Sequence, residues 1–154
     1  MQELAIKDLT ENFFEAIGKE WMLVTSGSKE KFNTMTASWG GIGFLWNKAV
    51  AFIFIRPERY TYEFIEKNDM LTLSFLGSGN RSIYNICGSK SGRDTDKIKE
   101  SGLLPLTTPD GNVTFEHGFD HRKNARFKAG GLSAHLLCDV ADLRVHIIEQ
   151  PAEI

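Results

Sequence analysis

The sequence has little that would tie it to a membrane, to nucleic acid or to a metal ion. Its longest apolar runs, such as residues 49–55, are far too short to span a bilayer. The net charge is −2 over 154 residues, so the totals supply no strongly basic face for a nucleic-acid backbone or an anionic lipid surface. Cysteine is scarce. Cys87 and Cys138 stand far apart, with no Cys-x-x-Cys and no zinc-type spacing. Two free thiols in a reducing compartment are the plain expectation, with a redox-active pair as the alternative. The start, Met1-Gln2-Glu3-Leu4, lacks the basic residues and the apolar stretch of a signal peptide, so a cytoplasmic protein without a membrane segment is expected. Two nucleotide fingerprints are also missing. Gly40-Gly41-Ile42-Gly43 does not have the GxGxxG spacing of a Rossmann turn, and the loop Ser89–Arg93 lacks the GxxxxGK[ST] spacing of a P-loop.

What is present is an ordinary globular composition, 42% apolar and 25% charged, with no internal repeat and no low-complexity linker. The length favours one domain over residues 1–154. Leu9, Phe13, Phe14 and Ile17 recur at helical spacing, which predicts a helix over residues 8–17 capped by Asp8 or Thr10 and stopped at Gly18. Residues 22–25 read as a short strand. Residues 33–39 alternate, with Thr34, Thr36 and Ser38 on one face and Met35, Ala37 and Trp39 on the other, a strand with hydroxyls along one side. Gly40, Gly41 and Gly43 predict a sharp turn or a backbone that a ligand can approach closely. Residues 50–55 read as a buried strand that stops at Arg56-Pro57. A helix over 58–67, a strand over 70–76 and a helix over 79–86 follow. The loop from Gly88 to Arg93 leads to a short helix that Asp94 would cap and that ends near Gly102. Pro109-Asp110-Gly111-Asn112 is a hairpin-type turn before a strand at 113–115. The helices are too few and too irregularly placed for a doubly wound parallel sheet. The expected fold is mainly β, a closed or nearly closed antiparallel barrel with peripheral helices.

A phosphate ester needs cations, hydroxyl donors and exposed backbone amides converging on a dianion. Thr34, Thr36 and Ser38 supply hydroxyls, Arg56 and Arg59 flank a proline turn, and Thr61 stands at a helix start, where anions are favoured. A flat heteroaromatic ring needs an apolar wall and a few donors at its edge. Met35, Trp39 and the backbone near Gly40 suit the wall, and the amide of Asn33 suits the edge. Each feature also has a plainer reading. Hydroxyl alternation is common on edge strands, Arg56 and Arg59 would pair with Glu58 or Glu63, and Trp39 would belong to the core.

The longer words narrow the choice. They are Phe32-Asn33-Thr34-Met35-Thr36-Ala37-Ser38-Trp39-Gly40-Gly41, Ile55-Arg56-Pro57-Glu58-Arg59-Tyr60-Thr61-Tyr62-Glu63-Phe64, Leu71-Thr72-Leu73-Ser74-Phe75, and Cys87-Gly88-Ser89-Lys90-Ser91-Gly92-Arg93-Asp94 with Lys97. In order and in spacing they resemble the flavin reductase-like family, close to its flavoredoxin members. The resemblance implies an FMN-binding split β-barrel of Greek-key type, working as a homodimer with non-covalent FMN at the subunit interface. It implies that Asn33, Thr34, Met35, Thr36, Ser38 and Trp39 line the flavin. Arg56, Arg59 and Thr61 would serve its phosphate side and ring edge, and Ser89, Ser91 and Lys97 would come from the third motif. The implied reaction is hydride transfer from NADH or NADPH to the flavin, with no catalytic acid or base required of the protein. The alternative is a flavodoxin-like electron carrier served by a redox partner protein, or a flavin-binding protein without its own nicotinamide reaction.

The resemblance stops at about Phe115. The stretch Glu116–Lys128 is basic and poorly periodic, and the tail to Ile154 matches no pattern of the family, as if it had diverged or been replaced. His117, His121, His135 and His146 therefore read as surface or loop histidines, and no metal is expected.

Overall fold

The structure, a computed structural model, describes residues 10–45, 47–116, 124–129 and 144–149. It begins with one turn of α-helix, α1 (Phe13–Glu15), which loosens into a π turn over Ala16–Glu20. The cap is neither Asp8, which lies outside the described residues, nor Thr10. It is Asn12, whose Oδ1 accepts the Phe14 N–H at 3.2 Å and satisfies one of the free amides of a helix start. Gly18 lies inside the π turn, and the chain leaves it at Trp21, with φ +74°. Ala16 and Ile17 are buried while Phe14 projects into solvent, so the expected helical stripe is shorter than its spacing suggests.

Seven strands then build one antiparallel sheet. β1 (Met22–Gly27) pairs with β2 (Phe32–Ala37) in a register that sets Val24 against Met35 and Thr25 against Thr34. β3 (Gly40–Leu45) pairs with β4 (Lys48–Ile55), and β5 (Met70–Ser74) lies on the other side of β1. β6 (Leu104–Thr107) and β7 (Val113–Glu116) form a separate hairpin around the turn at 109–112, as expected. β8 (Asn124–Ala129) pairs with β5, and β9 (Arg144–Glu149) with β4. The order across the large sheet is β2-β1-β5-β8-β9-β4-β3.

That order has a geometric consequence. The two end strands, β2 and β3, follow one another in the chain with only Ser38 and Trp39 between them. The sheet must therefore curl until its two edges approach, and β2 does touch β4. No β2–β3 ladder closes the ring among the described residues, so the barrel is split at this seam.

Two expectations are corrected here. The glycine-rich run is not a turn but edge strand β3. At Gly40, φ +152°, a Cβ would overlap the Phe52 carbonyl, so the missing side chain lets β4 come close. The unmatched tail, in turn, supplies β8 and β9, which sit in the middle of the sheet. Without them β5 and β4 would each present an unpaired edge.

The barrel interior is filled by Met22, Val24, Met35, Ala37, Ala51, Ile53, Ile55, Leu71 and Leu73. Fully burying an aliphatic side chain of this kind stabilises by about 1.5–3 kcal/mol. α2 (Tyr60–Ile65) adds Ile65 to that cluster. A second layer lies on the outer face of β1, made by Leu23 with α3 (Arg81–Ser89), Leu103 and β7. Within it, the Tyr84 hydroxyl accepts the Leu76 N–H at 2.7 Å. Burial pushes the Tyr84 phenol up to about 12. α4 (Lys97–Ser101) is capped by Asp96, not Asp94: Asp96 Oδ1 accepts the Lys99 N–H at 3.1 Å, and Gly102, φ +72°, ends the helix. Among the described residues no helix is long and apolar enough to cross a membrane, and no group of three or more His, Cys, Asp or Glu could hold a metal.

Candidate functional site

The two segments singled out in the sequence meet at the split of the barrel. A cavity of about 160 Å³ is lined by Met35, Thr36, Ala37, Ser38 and Trp39 on one side and by Phe54, Arg56 and Arg59 on the other. The register explains the meeting. β2 runs into Ser38-Trp39 just where the chain crosses to β3, and β4 delivers Arg56 at its end. Trp39 is 55% exposed, so it is not a core residue. Neither Arg56 nor Arg59 forms an ion pair with Glu58 or Glu63.

Asn33 and Thr61 are brought together, but with each other. Asn33 Nδ2 donates to Thr61 Oγ1 at 2.7 Å, a buried tie between β2 and the start of α2. Thr34 is fully buried, and its hydroxyl shares a hydrogen bond with Thr25 Oγ1 at 2.8 Å. Thr36 donates to the Tyr84 carbonyl at 2.6 Å, which ties the first turn of α3 to β2. Of the three hydroxyls expected along one face, Thr36 and Ser38 therefore line the cavity, and Thr34 packs.

The third motif joins through the end of α3. Arg59 Nη1 donates to the Gly88 carbonyl at 3.2 Å, and Lys97 Nζ donates to the Cys87 carbonyl at 3.3 Å and to the Thr34 carbonyl. Cations suit the free carbonyls of a helix C-terminus. Lys97 is only 5% exposed, and among the described residues neither it nor Arg59 meets a carboxylate. Burial pushes the Lys97 ammonium down from its ordinary range; the nearby Arg59 acts in the same direction and the Cys87 thiol opposes it. Two converging cations without an anion make a site that a phosphate would neutralise.

A larger cavity, about 430 Å³, opens on the other side of Lys97. It lies between Phe32, Asn33 and Thr34 of β2 and the stretch from Gly92 to Ile98. Ser89 and Ser91 line neither cavity. Ser89 Oγ donates to the Asn85 carbonyl at 2.6 Å, and Ser91 Oγ accepts the Arg93 N–H at 3.2 Å. Phe54 and Arg93 were not expected at the site. Phe54 could have been found from its position two residues before Arg56 on the same strand face; nothing in the local spacing pointed to Arg93. His117, His121, His135 and Cys138 lie outside the described residues, and Cys87 is a buried free thiol.

Comparison with known proteins agrees with this fold. A sequence model of the flavin reductase like domain matches residues 14–147, well past Phe115, which corrects the expectation that the tail falls outside the family. No curated protein matches the chain. Among solved structures, an FMN-binding protein from Thermus thermophilus with bound 1-cyclohex-2-enone is similar with a TM-score of 0.70 and 19% identity, covering 99% of this chain and 79% of that one. Flavoredoxin of Desulfovibrio vulgaris (Miyazaki F) is similar with a TM-score of 0.67 and 19% identity, over 96% and 74% of the two chains. An NADH:FAD oxidoreductase of Streptomyces globisporus, in complex with NAD and FAD fragments, has a TM-score of 0.63 and 12% identity, over 86% and 72%.

Proposed function

The chain belongs to the flavin reductase-like family, and on that premise we propose that it binds FMN non-covalently at the split of the barrel and acts as an NAD(P)H-dependent oxidoreductase of the flavin reductase type. The observation that carries this reading is the seam cavity, where Arg56 and Arg59, neither paired with a carboxylate among the described residues, stand with the Ser38 hydroxyl, and where Lys97 is buried close to Arg59. That donor set fits a terminal phosphate. Trp39 offers an exposed flat surface at the seam, suited to the ring, and Arg56 lies across the cavity from it.

Bound FMN would supply the hydride-accepting chemistry, taking electrons from NADH or NADPH and passing them to an acceptor. The chain's own part is to hold the phosphate, orient the ring edge through the groups around Ser38 and Trp39, and shield one face. No side chain is assigned an acid or base role. The seam also suggests how the open face is covered. Trp39 and Phe44, the latter 73% exposed, stand on the segment that joins β2 to β3 and on the free edge strand. A second copy of the chain docking there would bury both and complete the flavin site, giving a homodimer. Cys87 as a free thiol suits a reducing cytoplasm.

The test is an absorbance spectrum of the purified protein with the released cofactor identified by mass, followed by anaerobic mixing with NADH and NADPH. Bleaching of the flavin band supports the reductase. The similarity to flavoredoxin favours one other reading, an electron carrier, for which the band bleaches only with a redox partner protein. Protein that stays colourless after dialysis against FMN sinks both.

A further inference from the structure

We propose that Gly88, which lines neither cavity, is a positioning residue for the seam site: it lets α3 seat on Thr36 and so brings its own carbonyl to hold Arg59. The part that concerns FMN rests on the reading above. Gly88 stands in the last turn of α3, where carbonyls lack a partner within the helix. Arg59, the residue before α2, satisfies one of them: its Nη1 donates to the Gly88 carbonyl at 3.2 Å. Lys97 of α4 takes the Cys87 carbonyl beside it at 3.3 Å. One helix end thus gathers cations from two other elements. A guanidinium carries five N–H groups in a rigid plane. The bond to Gly88 orients that plane and leaves other N–H groups to face the cavity that Arg59 lines.

The glycine is there for space and not for backbone freedom. Its φ is not positive, and inside a helix alanine is the better former. A Cβ at Gly88, however, would lie 3.2 Å from Thr36 Cβ and 3.5 Å from Thr36 Oγ1. Thr36 has little room to give way. Its Cβ is one bond from the backbone of β2, which is laddered to β1 with Leu23 opposite Thr36. Tyr84, one turn earlier in α3, is held as well: its carbonyl accepts from Thr36 Oγ1 and its hydroxyl accepts the Leu76 N–H. A side chain at position 88 would therefore lift the last turn of α3 alone, by a few tenths of an ångström. The Arg59 bond already stands at the long end of the N–H···O range, so it is the contact that yields.

The experiment compares the full parent chain with Gly88→Ala, Arg59→Ala and the double variant. In the FMN-free parent, the Arg59 guanidinium signals, identified by their absence in Arg59→Ala, should show slowed rotation by nitrogen NMR. Gly88→Ala should restore free rotation. The FMN dissociation constant should rise about fivefold in Gly88→Ala, and should rise no further when Gly88→Ala is added to Arg59→Ala. A loss of affinity that persists undiminished in the Arg59→Ala background overturns the proposal, because Gly88 would then act without Arg59. An unchanged dissociation constant in Gly88→Ala overturns it too, as does slowed rotation that survives in that variant. Free rotation of Arg59 in the parent is equally fatal, and it is read on the parent chain even should Gly88→Ala not fold. Should the parent bind no FMN, the rotation measurements still decide the role of Gly88, and that failure belongs to the functional reading alone.

Discussion

The two faces of the sheet formed by β2, β1 and β5 are both buried, yet they are filled by opposite chemistry. The inner face carries Met35, Val24, Leu71 and Leu73, and packs by shape alone. The outer face carries Thr34, Thr25, Thr72 and Ser74 in register, each hydroxyl bonded to a neighbour: Thr25 with Thr34, Thr72 to the Val113 carbonyl, Ser74 with Thr114. The inner face makes the barrel. The outer face receives α3, α4 and β7 and holds the Lys97 ammonium against a strand carbonyl. A strand that alternates apolar and polar residues thus need not expose either side. Its polar side here is a second buried layer, and the site sits where that layer ends.

Leu73→Ala should be the sharpest blow to the inner face. The side chain is 1% exposed, and such a truncation costs about 2–5 kcal/mol through lost transfer energy and a residual cavity. Chemical denaturation would read it as a lowered midpoint, with the FMN dissociation constant of the folded fraction unchanged. A comparable loss of affinity would mean that the inner face shapes the site directly.

Lys97→Met should act with the opposite sign on the outer layer. The change removes a desolvated charge, so the FMN-free protein should be as stable as the parent or more so. FMN binding should weaken on the order of 3 kcal/mol. The pH dependence carries the same signature. Because folding lowers the Lys97 pKa below its ordinary 10.5, the unfolded chain holds the proton across the window between the two values. Stability of the FMN-free parent should therefore rise with pH in that window, while FMN affinity falls as the ammonium discharges. The Cys87 thiol, pushed up by burial from its ordinary 9.0, and Tyr84, held up at about 12, give the reverse trend above their ordinary values, so the slope is read below pH 9. The Met variant should lose both slopes. An affinity that stays flat with pH in the parent would remove Lys97 from the phosphate site. Arg59→Ala should weaken FMN by about 1.5–3 kcal/mol, since it is more exposed and gives up one charge-assisted contact.

This contrast also shows what the sequence could tell. Periodicity found most strands, because a half-turn of side chains per residue is a local property. It could not say what covers the polar face, since Thr34 meets Thr25 and Lys97 only after three elements pack. The glycines at 40–43 read as a turn because close approach of two backbones and a reversal of one backbone ask for the same residue. Residues 124–129 and 144–149 escaped because central strands held by β5 and β4 need little pattern of their own. Asp94 and Asp96 are equivalent cap candidates in the sequence, two carboxylates two residues apart, until the helix chooses its first turn and Asp96 serves. The segments of the site were legible as words. Which of their side chains face the cavity, and which are tied to one another as Asn33 and Thr61 are, was not.

The smallest expected effect tests the outer layer most directly. Thr34→Val removes one hydroxyl of a buried pair and strands the Thr25 hydroxyl, at a cost of about 1–3 kcal/mol. The double variant Thr25→Val with Thr34→Val removes both polar groups, keeps the shape and should come out near neutral. The coupling energy from the double-mutant cycle is then close in magnitude to the sum of the two single costs. Additive losses would mean that each hydroxyl answers to a different partner. Thr34 Oγ1 does have a second acceptor, the Val24 carbonyl at 3.3 Å, whose loss the cycle would expose. In neither variant should FMN affinity move, because the Thr34 carbonyl, and not its side chain, is what Lys97 holds.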